Sequence, residues 1–134
     1  MKPVSTIYRL TTPRDVHVCK EIWAANAKLF GEPRNLSWPT VVAERNGKIL
    51  GFMSTNAAKK FLLAGPLIIG KDCHAITVIR LVEAYEVVLK MAKVTSYWFH
   101  VEQKNKNWIK LIHKLGVKEK EKSETGLWFE RKLV

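Results

Sequence analysis

The sequence predicts an α+β domain built on a mixed central sheet of about six to seven strands flanked by helices. Three observations carry this. Asn46-Gly47 joins two apolar, β-branched runs in TVVAERNGKILGFMSTN, and this is the strongest short hairpin signal because both central residues accept positive φ. A long segment after Asp72 repeats its apolar residues at helical spacing. The β-branched and aromatic TSYWFHV follows it, so a helix separates strands of one sheet. At 134 residues one domain, 1–134, is expected, large enough for a single core.

In STIYRLTT, Ile7, Tyr8 and Leu10 mark a first strand. Thr12, Pro13 and Asp15 then form a helix start, with an N-cap oxygen, a proline where no N–H is needed, and an acid in the first turn. Val16, Cys19, Ile22, Trp23, Asn26 and Phe30 recur at three-to-four spacing through one helix, which Gly31 and Pro33 stop. GEPRNLSWP reads as a loop before the hairpin. KKFLLAGPLIIG continues as a third strand, apolar enough for burial on both faces. Gly65-Pro66 in its middle demands a bulge or splay, since proline has no N–H for the ladder.

Asp72 caps the next helix, which presents Ala75, Ile79, Val82, Tyr85, Leu89 and Ala92 on one face, widened by Ile76, Leu81 and Val88. After the strand TSYWFHV, KNWIKLIHKLG forms a short helix ended by Gly116. Trp108, Leu111, Ile112 and Leu115 point inward, and Lys106, Lys110, His113 and Lys114 outward. VKEKEKSETGLWFERKLV is a hairpin whose first arm is polar on both faces and whose second carries Leu127, Trp128 and Phe129.

Apolar residues at 47% and charged residues at 26% match a globular chain and exclude a disordered one. No apolar run approaches the roughly 20 residues that span a bilayer, and MKPVSTIYRL has no apolar core of a secretory signal. A cytoplasmic location and no membrane partner are therefore expected. Cys19 and Cys73 fall in two different predicted helices without a CxxC pairing, so neither a disulfide framework nor a zinc site is expected. Cys73 has no His-Asp or His-Asn pattern to make it a nucleophile.

The net charge of +11 favours anionic partners: nucleic acid, phosphorylated cofactors or acidic protein surfaces. The basic residues are spread rather than gathered, among them Lys59, Lys60, Lys71, Lys90, Lys93, Lys104, Lys106, Lys110 and Lys114. That is the pattern of a solvated surface, which disfavours nucleic acid as the partner. Trp98, Trp108 and Trp128 sit on an apolar strand, an amphipathic helix and the last strand, where they read as core rather than as a base-stacking platform.

The order strand, helix, loop, three strands, long helix, strand, short helix, hairpin resembles that of the GNAT family of acyl-CoA-dependent N-acyltransferases. The most specific residues lie in VEQKNKNWIKLIHKLGV. The family commonly reads Val, three variable residues, Asn, then a helix with Ala-Ile-x-Leu-Tyr-x-x-Leu-Gly-Phe. Val101, Asn105, Ile109, Leu111, Leu115, Gly116 and Val117 fall at those places without a gap. The resemblance implies a GNAT-like three-layer α/β/α arrangement. It also implies acetyl-CoA as co-substrate, and an amine-bearing small molecule or protein as acceptor. The third sheet strand and TSYWFHV would then be parallel neighbours that splay apart to admit the pantetheine arm. The pyrophosphate would rest on the N–H groups opening the next helix. Carried onto this chain, the cofactor set is Leu67, Ile68, Ile69, Gly70, Lys71, His74, Ala75 and Asn105.

Two departures from the family stand out. Its phosphate loop places small residues where this chain has His74 and Ile76, and Asp72 adds a repelling charge, although Gly70 can move the turn one step earlier. Its last helix often holds a Tyr that protonates the departing thiolate, and that place is Ile112, with His113 turned about 100° away. For the general base, His100 and Glu102 flank Val101 and so share a face of the strand. His100 has a suitable unperturbed pKa near 6.5, and its alternative role is that of a core histidine among aromatic rings.

Three readings follow. The first is an active N-acetyltransferase. The second is a GNAT fold without catalysis, serving protein binding or assembly. Here the length and last-helix pattern are similar to the internal virion or assembly proteins of T7-like phages, which would place the chain in a host cytoplasm or a virion. The third is a basic nucleic-acid-binding module, whose affinity would fall steeply with salt. The acceptor side would be built by the first helix, GEPRNLSWP and the last hairpin, with Glu32 and Glu44 able to attract an amine. The last strand offers an edge for a homodimer.

Overall fold

The hairpin read from Asn46-Gly47 forms the second and third strands of a seven-stranded sheet. A computed structural model describes residues 5–56, 62–70, 75–103 and 105–133. The strands are β1 (Thr6–Leu10), β2 (Ser37–Arg45), β3 (Lys48–Asn56), β4 (Leu63–Ile69), β5 (Ser96–Glu102), β6 (Lys118–Lys122) and β7 (Gly126–Lys132). The helices are α1 (Val16–Ala25), α2 (Ala27–Phe30), α3 (Ala75–Met91) and α4 (Lys106–Lys114), and a 3-10 turn at Pro13–Asp15 leads into α1. The strands lie in the order β1-β2-β3-β4-β5-β7-β6. All neighbours are antiparallel except β4 and β5, which are parallel.

Strand alternation divides the apolar residues between two faces. Val42, Phe52 and Ile68 pack on Cys19 and Trp23 of α1. Their neighbours Val41 and Met53, with Ala64 and Tyr97, pack on Leu81, Tyr85 and Leu89 of α3. Helix α4 lies on the same side as α3 and closes a third cluster, Ile112 with Val101, Leu127 and Phe129. Phe99 joins the α3 and α4 clusters. The result is the expected three-layer arrangement, α1 and α2 on one face and α3 and α4 on the other.

Local chemistry sets the ends of these elements. Asn46 and Gly47 take φ of 54° and 77°, as the tight turn between paired Arg45 and Lys48 requires. At the start of α1, the Asp15 carboxylate accepts from Thr12 N (2.8 Å) and Thr12 Oγ1 (3.0 Å). The same carboxylate accepts from Arg9 Nη1 (2.7 Å) and Nη2 (3.1 Å), which ties the helix start to β1.

Several expectations are corrected. The first helix is broken at Asn26, whose Nδ2 donates to Ile22 O (2.8 Å), so α1 and α2 are separate. A side-chain amide bonding the backbone in this way competes with helix continuation. The end of GEPRNLSWP is not loop, because Ser37 to Pro39 open β2 where its register with β3 is irregular, and Pro39 is tolerated there. Strand β4 is fully buried only at Ala64 and Ile68, since its other residues border a gap rather than a neighbour. The buried face of α3 is Thr77, Val78, Leu81, Tyr85, Glu86 and Leu89. Ile76 lies about 140° round from Leu81 and is exposed, and exposed Ala92 falls beyond the helix.

Leu115 is 48% exposed rather than inward, because α4 ends at Lys114 and Leu115 takes the C-cap. Trp98, Trp108 and Trp128 are half-buried, not core. The last strand, β7, is flanked by β5 and β6, so the sheet edges are β1 and the fully exposed β6, and a dimer cannot form through β7. Among the described residues no helix is long and apolar enough to cross a membrane.

Candidate active site

The parallel pair β4 and β5 is joined at one register position, Leu63 opposite Trp98, with Trp98 N donating to Leu62 O at 2.9 Å. Beyond it the strands part. On its other side β5 is paired along its whole length with β7, from Ser96 opposite Lys132 to Glu102 opposite Gly126. On β4, Leu67 opposes Met53 and Ala64 opposes Thr55, which leaves Gly65-Pro66 as a bulge against Ser54. Proline without an N–H and glycine with φ of 126° bend β4 away from β5, where the sequence demanded it.

A cavity of about 1030 Å³ occupies the gap. Residues of both layers line it, so it passes through the sheet. The α3–α4 half has Val78, Val82 and Glu86 from α3 and Asn105, Trp108 and Ile112 around α4. The α1–α2 half has Trp23, Leu29, Phe30, Arg34, Asn35 and Ser37. His100 and Glu102, the two expected bases, both line this cavity.

The His100 ring lies 4.9 Å from the Trp128 ring, tilted by 54°. Across the strand pair is Gly126, where a Cβ would come within 2.8 Å of His100 Nε2. The imidazole is thus held between an aromatic face and a glycine at the cavity wall. Glu102 also borders a shallow recess with Gln103, Lys106, Glu124 and Thr125.

The expected cofactor residues divide. Leu67 lines the cavity, and Asn105 does so while capping α4, its carbonyl accepting from Ile109 N at 3.2 Å. The side chain of Ile68 is in the core under α1, and Ile69 packs against the α3 cluster. Gly70 N donates to Leu50 O at 2.8 Å, so this amide is spent inside the sheet and is not an open donor for a phosphate. Ala75 is the exposed first residue of α3. Lys71, Asp72, Cys73 and His74 lie outside the described residues. Glu44 is paired with Arg9 (3.1 Å) and takes no part in the cavity, nor does Glu32.

Ile112, expected at the place of the family's tyrosine, is 5% exposed and lines the cavity. Two tyrosines stand near. Tyr97, 2% exposed and lining the cavity, donates to Glu86 Oε2 at 2.7 Å. Arg131 Nε donates to the same oxygen at 2.9 Å. Burial, then the Glu86 charge, hold the Tyr97 phenol far above its ordinary pKa. Tyr85 is pushed up to about 12 by burial and is hydrogen-bonded to Thr55 Oγ1 at 2.6 Å. Neither phenol has a proton free for a leaving group.

The directions of the remaining hydroxyls follow from their partners. Thr55 Oγ1 donates to Pro39 O (2.8 Å), so Tyr85 donates to Thr55. Thr40 Oγ1 donates to Ser37 O (2.7 Å), so the Ser54 hydroxyl, 2.7 Å away, donates to Thr40. Ser54 and Thr55 line the cavity with oxygens whose protons are already committed. Sequence reasoning missed these networks. The available signal was Glu86, an acid between Tyr85 and Leu89 on the inward face of the helix, where a carboxylate needs a partner.

No family model matches the chain, and no curated protein matches it. Solved structures do. It is similar to a ribosomal-protein-alanine N-acetyltransferase from Brucella melitensis, with TM-score 0.78 and 16% identity over 94% of this chain and 99% of that one. It is also similar to an acetyltransferase of the GNAT family from Staphylococcus aureus Mu50, with TM-score 0.75 and 9% identity over 97% and 100%. The paia N-acetyltransferase from Thermoplasma acidophilum, solved with coenzyme A, gives TM-score 0.73 and 14% identity over 96% and 99%. The fold is that of the GNAT acetyltransferases. In this chain the parallel strands β4 and β5 part, Asn105 stands at the N-cap of α4, and Ile112 is buried beside the cavity.

Proposed function

We propose that the chain is a GNAT-type N-acyltransferase that moves acetyl from acetyl-CoA to an amine. The observation that carries this is the gap between β4 and β5, with a cavity that reaches both helical layers. Two reactants can therefore enter from opposite faces and meet at the opening of the strands, which replaces a bimolecular encounter by positioning. The acyl-CoA arm lies in the α3–α4 half, near Leu67 and Asn105. On the family resemblance its phosphates are assigned to the segment from Lys71 to Ala75, with the Gly70 amide excluded as a donor.

The amine comes from the α1–α2 half. Its nitrogen attacks the thioester carbon, the C–N bond forms, the C–S bond breaks, and the sulfur leaves as a thiolate. The proton lost by the ammonium goes to His100 or Glu102, directly or through water. With Ile112 in place of a hydroxyl, the thiolate takes its proton from solvent. A thiol of pKa about 8.5 tolerates this, but loss of a general acid costs about 10²–10⁴ in rate, so turnover is expected to be slow.

Calorimetric titration with acetyl-CoA and with desulfo-CoA tests the reading. Micromolar binding of both, weakened far more by Lys71→Glu than by Lys120→Glu, supports it. Absence of binding up to millimolar concentration sinks it. That outcome favours the second reading, a GNAT fold kept for protein binding or virion assembly, which the buried Ile112 also suits.

A further inference from the structure

We infer that the acceptor is an amino acid with an apolar side chain, an amine that carries its own carboxylate, rather than a polyamine. This rests on the acyl-transfer reading of the cavity and deepens it on the acceptor side. Two separate observations converge on the α1–α2 half. Its wall is apolar and aromatic, with Trp23, Leu29 and Phe30. Arg34 lines it with a guanidinium that no ion pair or hydrogen bond among the described residues engages. Of the carboxylates on the α3 side of the lining, Glu83 is bound by Arg80 (3.2 Å) and Glu86 by Arg131 (2.9 Å).

An acceptor half built for a polyamine would not set a free cation at its wall, as this one does with Arg34. A guanidinium with its donors open is suited to a carboxylate, which it grips through two parallel N–H···O bonds. The hydroxyl directions add the complement. Because Ser54 gives its proton to Thr40, the Ser54 oxygen can only accept, so at this point the wall can receive an N–H. An α-amino acid brings an N–H donor, an anion and an apolar group together. The net charge of +11 acts in the same sense at long range, since it repels a polycation and does not oppose a zwitterion of zero net charge.

The test measures binding to the full chain, with and without saturating desulfo-CoA, of L-leucine, L-leucinamide and spermidine. Leucinamide keeps the amine and the apolar group and lacks the anion. Leucine is expected to bind at least about tenfold more tightly than leucinamide or spermidine, the worth of one charge-assisted pair. Arg34→Gln, at an exposed position whose folding circular dichroism checks, should lower leucine affinity about tenfold and leave leucinamide unchanged. The inference is overturned if spermidine or leucinamide binds as well as leucine, if Arg34→Gln binds leucine as the parent does, or if leucine does not bind. Desulfo-CoA titrated in the same series separates the two claims. Its failure to bind, with leucine selectivity intact, removes acyl transfer alone. Its binding without leucine selectivity removes the amino-acid acceptor alone.

Discussion

Removing the Glu86 carboxylate should be among the most costly single changes in the wall of the cavity. Its side chain is 10% exposed and accepts from Tyr97 Oη at 2.7 Å and Arg131 Nε at 2.9 Å. In Glu86→Ala the Tyr97 hydroxyl is left without a partner in a site 2% exposed, which costs about 1–3 kcal/mol. Arg131 has a side chain 40% exposed and recovers most of its loss from water, so it adds no more than about 1 kcal/mol. The expected total is about 1–4 kcal/mol, measured by urea unfolding at fixed m-value. Tyr97→Phe removes the donor and should cost about 1 kcal/mol. In Glu86→Ala/Tyr97→Phe the orphaned hydroxyl no longer exists, so the double mutant should be less destabilised than the sum of the single ones by about 1–2 kcal/mol. Strict additivity, within about 0.3 kcal/mol, would refute the claim that Glu86 serves chiefly to satisfy Tyr97.

Asp15 gives a pH signature. The Arg9 guanidinium, and then the Thr12 N–H and hydroxyl, hold its carboxyl well below the usual carboxylate range against the opposing effect of burial. A depressed pKa contributes stability that is present above the unfolded value of about 3.9 and lost as pH falls toward the folded one. The stability gap between the parent and Asp15→Asn, about 2 kcal/mol near pH 7, should therefore hold to about pH 5 and shrink below about pH 4. A gap independent of pH would exclude the ion pair. Gly126→Ala places a Cβ against Val101 O and within 2.8 Å of His100 Nε2, so β5 and β7 must separate. Thermal melting should drop by about 10 °C, and an unchanged Tm would mean the strand pair yields freely. Burial, with the Asp15 charge behind it, pushes the Cys19 thiol up to about 12. In a Cys73→Ser chain a thiol reagent at about pH 8 should therefore react only as fast as the protein opens, and reaction at the rate of a free thiol would contradict the buried position.

Much of this architecture is local in origin. The Asn46-Gly47 turn, the Thr12 to Asp15 cap, the stop at Gly116 and the alternation that puts Val42 and Val41 on opposite faces each depend on residues a few positions apart. The parting of β4 and β5 was legible for the same reason, since a proline in an apolar strand must cost the ladder a bond wherever the strand lies. His100 and Glu102 were found because alternation puts them on one face. Local periodicity failed where an element stopped sooner than its pattern, at Asn26 in the first helix and at Leu115 after α4.

What no window of sequence contained is the set of partners brought together from afar. Glu86 meets Arg131 across 45 positions, and Thr55 meets Tyr85 across 30. The insertion of β7 between β5 and β6 leaves the charged KEKEK arm as the edge. Gly70 loses its amide to Leu50 only because β3 and β4 share a register there. The free Arg34 beside an apolar wall is likewise a property of assembled layers. Propensity, capping and alternation act through covalent neighbours and are written in order along the chain. Pairing, burial and the direction of a hydroxyl depend on which distant groups arrive, and in this protein those groups form the cavity.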